Sequence, residues 1–298
     1  MNKVKCGLIG PGNIGQDLMI KISRNEYIEL ACVVNIKESE GLQRARDMGI
    51  DTSSEGVQYI LDNYKGVIDI VFDATSARAH TLCAPNLKKA GMFALDLTPA
   101  AVGPYCVPSV NLSETMLSQD NVNLVTCAGQ ATTPIVSAIN EVADVYYAET
   151  VSSLSSESAG PGTRANIDEF TETTRSALIN VGGADNARAI IILNPAEPPI
   201  LMSNTIYTRV RKVNIEKIAV ICEKKIKEMQ VYVPGCRFRM KPTLTDPNND
   251  IVMCVVEVEG AGDYLPVYSG NLDIINAAAI RIAEMKAKKI LGVIDGKN

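Results

Sequence analysis

Two glycine-rich segments and one cysteine carry the chemistry this sequence offers. The first segment, Gly10-Pro11-Gly12-Asn13-Ile14-Gly15, directly follows the apolar residues Val4, Cys6, Leu8 and Ile9 and precedes a helix-compatible stretch holding Leu18, Ile20 and Ile22. A tight turn, a close main-chain approach to a diphosphate and tight strand-helix packing each require a residue without a β-carbon. The amides at the helix N-terminus then face the phosphates. Lying between a strand and a helix, Gly10, Pro11, Gly12, Asn13, Ile14 and Gly15 are read as a dinucleotide turn rather than a plain tight turn. The following strand ends at Val34-Asn35, where a carboxylate normally accepts bonds from the adenosine ribose. Asn35 is neutral but still able to bond a 2'-hydroxyl, so NAD is expected, with tolerance of NADP through Lys37 or Arg44.

Cys127 stands in Val125-Thr126-Cys127-Ala128-Gly129-Gln130, where a buried run ends and a helix is expected soon after. Nearby amides and the positive end of a helix would lower its pKa and supply thiolate. The same amides would hold the oxyanion of a thiohemiacetal whose hydride passes to a nicotinamide. A buried core cysteine fits the spacing equally well. The second glycine-rich segment is Ser158, Ala159, Gly160, Pro161, Gly162, Thr163, Arg164, Ala165 and Asn166, offering amides, hydroxyls and one guanidinium to a phosphate or carboxamide. Asn194 to Pro199 reads as a rigid structural turn.

These residues need a scaffold, and the composition allows one. The chain has 298 residues, 46% hydrophobic and 21% charged, enough for two domains with their own cores. A net charge of -5 leaves no basic excess for nucleic acid. No window approaches the roughly 20 apolar residues of a membrane span, and no signal peptide is evident. Eight scattered cysteines without CxxC spacing fit reduced thiols in the cytoplasm, with Cys6, Cys32, Cys222 and Cys254 as small hydrophobes. The one histidine, His80, leaves no histidine set for a catalytic zinc, so no metal is expected.

Strand-like runs at Val4 to Ile9, Ile28 to Ile36, Val67 to Ala74, Met92 to Leu97 and Val122 to Cys127 alternate with helix-compatible segments, which implies a mostly parallel sheet. Beyond Thr132-Thr133-Pro134, read as a capped helix start, the pattern changes. Tyr146 to Leu154, Ala189 to Leu193, Thr205 to Val210 and Ile251 to Val258 are β-rich, and Ile215 to Met229 is helical, giving an α+β second domain. Asp273 is expected to cap a closing helix that returns to the first domain. The expected division is 1-129 plus 271-298 for dinucleotide binding and 130-270 for the α+β domain.

The chain resembles the acylating acetaldehyde dehydrogenases that work beside a 4-hydroxy-2-oxovalerate aldolase. The resemblance rests on Gly12-Asn13-Ile14-Gly15, Phe72-Asp73-Ala74-Thr75-Ser76, Asp96 to Ala101, Val125-Thr126-Cys127, Gly129 to Thr132, Ser158 to Thr174, Asn194 to Pro199 and Gly270 to Ile274. It implies a Rossmann-type doubly wound parallel sheet with a second α+β catalytic and dimerisation domain. It further implies an acyl thioester on Cys127, and nicotinamide contacts from Pro11 to Ile14, Ser158 to Asn166 and Asn271. Coenzyme A is then the acyl acceptor, the chain a homodimer, and an aldolase the partner that delivers acetaldehyde through a channel. Three positions depart from the family: Asn204 stands for a customary aspartate near the thiol, Ala128 for a glycine, and Arg237 to Val256 is short. Asn204 has no basic site but can orient a water or the thiol. Two other readings stand beside this one: a phosphate-dependent semialdehyde dehydrogenase type, which commonly uses a histidine beside its cysteine, and a non-catalytic NAD-binding protein.

Overall fold

The apolar run at the N-terminus, VKCGLI, is buried on both faces, as a central strand of a parallel sheet must be. It forms β1 (Val4–Ile9) in a computed structural model that describes residues 2–160, 164, 166–245 and 250–293. Then follow α1 (Asn13–Ser23), β2 (Ile28–Val34), α2 (Glu40–Asp47), β3 (Asp51–Ser53), α3 (Val57–Asn63), β4 (Ile70–Asp73), α4 (Ala77–Lys89) and β5 (Phe93–Asp96). Two short helical turns, α5 (Pro108–Asn111) and α6 (Glu114–Leu117), lead to β6 (Asn121–Asn123). All strand pairings are parallel and the order is β3-β2-β1-β4-β5-β6, the doubly wound arrangement expected from the sequence. Side-chain caps start several helices: Ser39 accepts from the Leu42 amide ahead of α2, and Ser76 from the Ala79 amide ahead of α4.

The second half holds α7 (Cys127–Ala143), β7 (Val145–Ser155), α8 (Ile167–Asn180), β8 (Ala187–Asn194), β9 (Met202–Val210), α9 (Ile215–Gln230), β10 (Cys236–Leu244), β11 (Ile251–Val258) and α10 (Gly270–Leu291). Its sheet has the order β10-β11-β9-β7-β8, antiparallel except for β7 with β8, which α8 joins as a crossover. Alternate residues of β7, β9 and β11 are buried, among them Ala148, Leu154, Ile206, Val252 and Val256. They share one apolar core with Ile135 and Ile139 of α7, Phe170 and Leu178 of α8, and Ile218 and Ile226 of α9. The opposite face, with Val151, Ile190 and Ile192, is covered far less, and Ile192 remains 45% exposed.

By internal contacts the chain divides into Met1–Cys106, Leu112–Leu124 and Ala279–Asn298 on one side, and Val107–Asn111 and Val125–Ala278 on the other. Apart from the short segment Val107–Asn111, the cuts fall at 124/125 and 278/279, against 129/130 and 270/271 in the sequence reading. No helix among the described residues is long and apolar enough to cross a membrane.

Three local expectations require correction. The strand drawn from Val122 to Cys127 stops at Asn123, and Cys127 already opens α7. Thr132-Thr133-Pro134 does not start a helix: Pro134 lies inside α7, because Thr126 has already capped it and the buried apolar face holds the helix past the missing N–H. Asp273 is not a cap either, since α10 begins at Gly270 and the Asp273 amide already donates to the Ser269 carbonyl.

Candidate active site

At the glycine-rich turn each glycine has its own reason. Gly10 adopts φ +85, and a β-carbon there would lie 2.8 Å from Thr75 Cγ2 and 2.9 Å from the Ala74 carbonyl oxygen. At Gly15 a β-carbon would strike the Gly10 carbonyl oxygen at 2.6 Å, which sets how closely α1 packs on the turn. Gly12 has nothing within 4 Å, and as N-cap it puts no side chain over the first turn of α1. That combination leaves Asn13, Ile14 and Gly15 at a helix start that a diphosphate can approach. A cavity of about 430 Å³ opens beside it, lined by Pro11, Asn35, Asp73, Thr75 and Cys83 among others. The residues present therefore fit a dinucleotide. Asn35 lines this cavity with its oxygen accepting from the Ile36 amide at 2.9 Å and its nitrogen 3.3 Å from Ser39 Oγ. Arg44 is drawn to Gln16, donating to Oε1 at 2.9 Å, and Lys37 is exposed.

Cys127 is the first residue of α7. Thr126 caps the helix, its Oγ1 accepting from the Gly129 amide at 2.9 Å. Thr126 Oγ1 also lies 2.7 Å from Thr174 Oγ1 of α8, which in turn donates to the Phe170 carbonyl at 2.7 Å. Each hydroxyl has one hydrogen, so Thr126 donates and Thr174 accepts. Val125 adopts φ +61, a left-handed conformation that strains a β-branched residue. Gly129 sits over it, where a β-carbon would come within 2.5 Å of Val125 Cγ1. The strained turn and the cap together place the sulfur at a helix N-terminus.

The expected acidification does not follow. Cys127 is only 8% exposed, within the apolar core of the second unit, and burial pushes its thiol up to about 12. The amides of Ala128 and Cys127 pull it down, but less strongly. The resting group is a thiol facing two donors that suit an anion.

Asn204 lies in β9, fully buried, its nitrogen donating to the Val256 carbonyl at 3.3 Å while Oδ1 has no partner. Its register neighbour Ser152 in β7 also has an unpartnered buried hydroxyl. Ser158 closes a 3-10 turn and donates to the Ser155 carbonyl at 2.9 Å, and Ala159 is buried beside it. Gly160 has open space around it. Arg164 turns its guanidinium on the loop itself, bonding the Ala159 and Ser156 carbonyls at 3.0 and 2.7 Å. Asn166 precedes α8. Pro161, Gly162, Thr163 and Ala165 lie outside the described residues. Asn271 in α10 donates to the Ser158 carbonyl at 3.4 Å, with Oδ1 unpartnered, so two segments expected to share a cofactor meet.

The sequence reading gave Thr174 no role, and it weighed His80 as a zinc ligand. His80 is completely buried, bonded to Asp73 in the wall of the cavity beside the glycine-rich turn. Thr126 ahead of a Gly three residues on was the signal for the cap; nothing local pointed to Thr174.

Residues 127–266 match the family model described as prokaryotic acetaldehyde dehydrogenase, dimerisation, and residues 5–118 match semialdehyde dehydrogenase, NAD binding domain. An acetaldehyde dehydrogenase of Carboxydothermus hydrogenoformans is 58% identical over 291 residues, covering 97% of this chain and 95% of its own length. One from Thermus thermophilus is 52% identical over 299 residues, covering 97% and 96%. In fold the chain is similar to aspartate semialdehyde dehydrogenase II from Vibrio cholerae, solved in complex with ASA, at TM-score 0.64 and 12% identity over 99% of this chain and 100% of that one.

Proposed function

Since the chain belongs to the prokaryotic acetaldehyde dehydrogenase family, we propose that it oxidises acetaldehyde with NAD through a thioester on Cys127 and passes the acetyl group to coenzyme A. One observation carries the residue assignment: a sulfur at the first position of a capped helix, with the amides of Cys127 and Ala128 on it. The Cys127 thiol gives up its proton to solvent as Sγ attacks the aldehyde carbon, a carbon-sulfur bond forms, and the carbonyl π pair moves to oxygen. Main-chain donors at the start of α7 favour the negative charge wherever it sits, on sulfur before attack or on the adjacent oxygen after it. NAD held at the glycine-rich turn supplies the acceptor for the hydride that leaves as the thioester forms. The coenzyme A thiolate then displaces Cys127, whose sulfur departs as the anion the amides suit.

Asn204 is an orienting group in this scheme, because an amide takes no proton and its Oδ1 is available to accept a hydrogen bond. Asn35, the Gly10 to Gly15 turn, Ser158 to Asn166 and Asn271 hold the cofactor. A homodimer forms through the sparsely covered face of the second sheet, which carries Val151, Ile190 and the exposed Ile192. The eight free cysteines suit a reducing cytoplasm. A 4-hydroxy-2-oxovalerate aldolase is the partner that supplies the aldehyde.

NADH formation from acetaldehyde tests the reading when measured with coenzyme A, with phosphate, and with neither. Dependence on coenzyme A is expected. Dependence on phosphate instead would transfer the chain to the semialdehyde dehydrogenase chemistry, and silence with intact NAD binding would make it a binding protein.

A further inference from the structure

Beneath the cofactor cavity lies a buried polar cluster that the thioester chemistry does not use. His80 of α4 faces Asp73 of β4, Asp96 of β5 and Asn121 of β6, with Cys83 one turn along its own helix. Nδ1 is 2.9 Å from Asp73 Oδ2, and Nε2 is 2.8 Å from Asn121 Nδ2 and 3.5 Å from Asp96 Oδ2. The other oxygen of Asp73, Oδ1, accepts from both the amide and the hydroxyl of Thr75, at 3.0 and 2.5 Å. The methyl of that same threonine stands against Gly10, at 2.8 Å from where a β-carbon would be. A continuous chain of contacts therefore runs from His80 through Asp73 and Thr75 to the first glycine of the dinucleotide turn.

We propose that His80 is a positioning residue for the cofactor cavity, clamping one oxygen of Asp73 so that the other fixes Thr75 against the Gly10 turn. The charge on the ring follows from the neighbours. Asn121 Oδ1 has no partner while its nitrogen points at Nε2. Exchanging the amide's oxygen and nitrogen lets Oδ1 accept from an Nε2–H, and two nearby carboxylates favour that second ring proton. Burial pulls the imidazole pKa down, but the bond to Asp73 and the charges of Asp96 and Asp73 carry it above its ordinary value. Against the pull of burial, the bonds from His80 and Thr75 hold the Asp73 carboxyl below the usual carboxylate range. Burial raises Asp96, and burial keeps the Cys83 thiol protonated. The clamp is thus an ion pair between His80 and Asp73. As pH rises through the ring's titration, above about 6.5, the charge is lost and the clamp loosens.

The test uses the full chain and NAD alone, read by titration calorimetry, so it stands or falls separately from the assignment of Cys127. His80→Gln is expected to raise the Kd for NAD about tenfold, the worth of one charge-assisted hydrogen bond, with kcat at saturating NAD little changed. Thr75→Val, which keeps the methyl against Gly10 but loses the hydroxyl that Asp73 holds, should weaken NAD similarly. The double variant H80Q/T75V should be no worse than the weaker single variant, since both break one chain of contacts. Parent affinity should fall with rising pH through the imidazole titration, and that slope should vanish in H80Q. Wild-type affinity in H80Q, or losses that multiply in the double variant, would overturn the proposal. Should H80Q fail to fold, an unchanged Kd in T75V overturns it equally, because the chain ends at that residue.

Discussion

The helix N-termini of α1 and α7, proposed to meet two different anions, are built in opposite ways. At the start of α1 the cap is Gly12, with no side chain over the turn and nothing within 4 Å of its missing β-carbon. At the start of α7 the cap is Thr126, locked to Thr174, and the first helical residue, Cys127, is itself the proposed nucleophile, enclosed by an apolar core. An external polyanion needs access, so the first terminus is left open to solvent. A thiol needs its charge to appear only during reaction, so the second is buried and the group rests neutral. The same amide geometry serves both because the macrodipole does not distinguish a ligand from a side chain.

The largest expected effect separates the two termini outright. Cys127→Ser should reduce turnover by at least about a thousandfold while leaving the Kd for NAD unchanged; retained turnover removes the nucleophile assignment. At the other terminus, Gly12→Ala meets no neighbour, so the fold should hold while NAD binding weakens about tenfold, roughly 1.4 kcal/mol, measured by calorimetry. Gly10→Ala forces φ +85 on a β-carbon that meets Thr75 and Ala74, and should cost about 1–3 kcal/mol of stability in urea melts. Equal behaviour of the two alanine variants would erase the distinction drawn between those glycines. Thr126→Ala should cost about 1 kcal/mol and slow alkylation of Cys127 by iodoacetamide. An unaltered alkylation rate would mean the cap does not steer the sulfur.

The smallest effect concerns pH. The folded thiol is raised to about 12, whereas the unfolded one titrates at its ordinary value of about 8.5. The neutral buried group therefore contributes stability that is complete below the unfolded value and is lost as pH rises toward the folded one. Urea midpoints of parent and Cys127→Ser should diverge only above about pH 8.5, with the parent falling faster.

Much of this was readable along the chain. Strand and helix periodicities located β1, β2, β4, β5, β7, β9, β11, α1 and α9, and the glycine spacing located the turn after β1, because each of these rests on neighbours within a few residues. The short β3, the weakly patterned β10 and α8 with its threonine-rich sequence escaped, since their apolar signal is thin and tertiary contacts hold them. Reading Pro134 as a helix start failed for a related reason: a local rule about proline gave way to a buried face that extends across it.

What residue types and spacing determined by themselves was the alternating scaffold, the open glycine-rich turn after β1 and a cysteine beside a helix start. Tertiary structure alone decided the rest. Thr126 meets Thr174 across 48 residues, Asn271 meets Ser158 across 113, and His80 reaches Asn121 across 41. The protonation of Cys127 belongs to the same class. Desolvation sums over every group packed around the sulfur, most of them distant in sequence, whereas the opposing amides come from the residue itself and its neighbour.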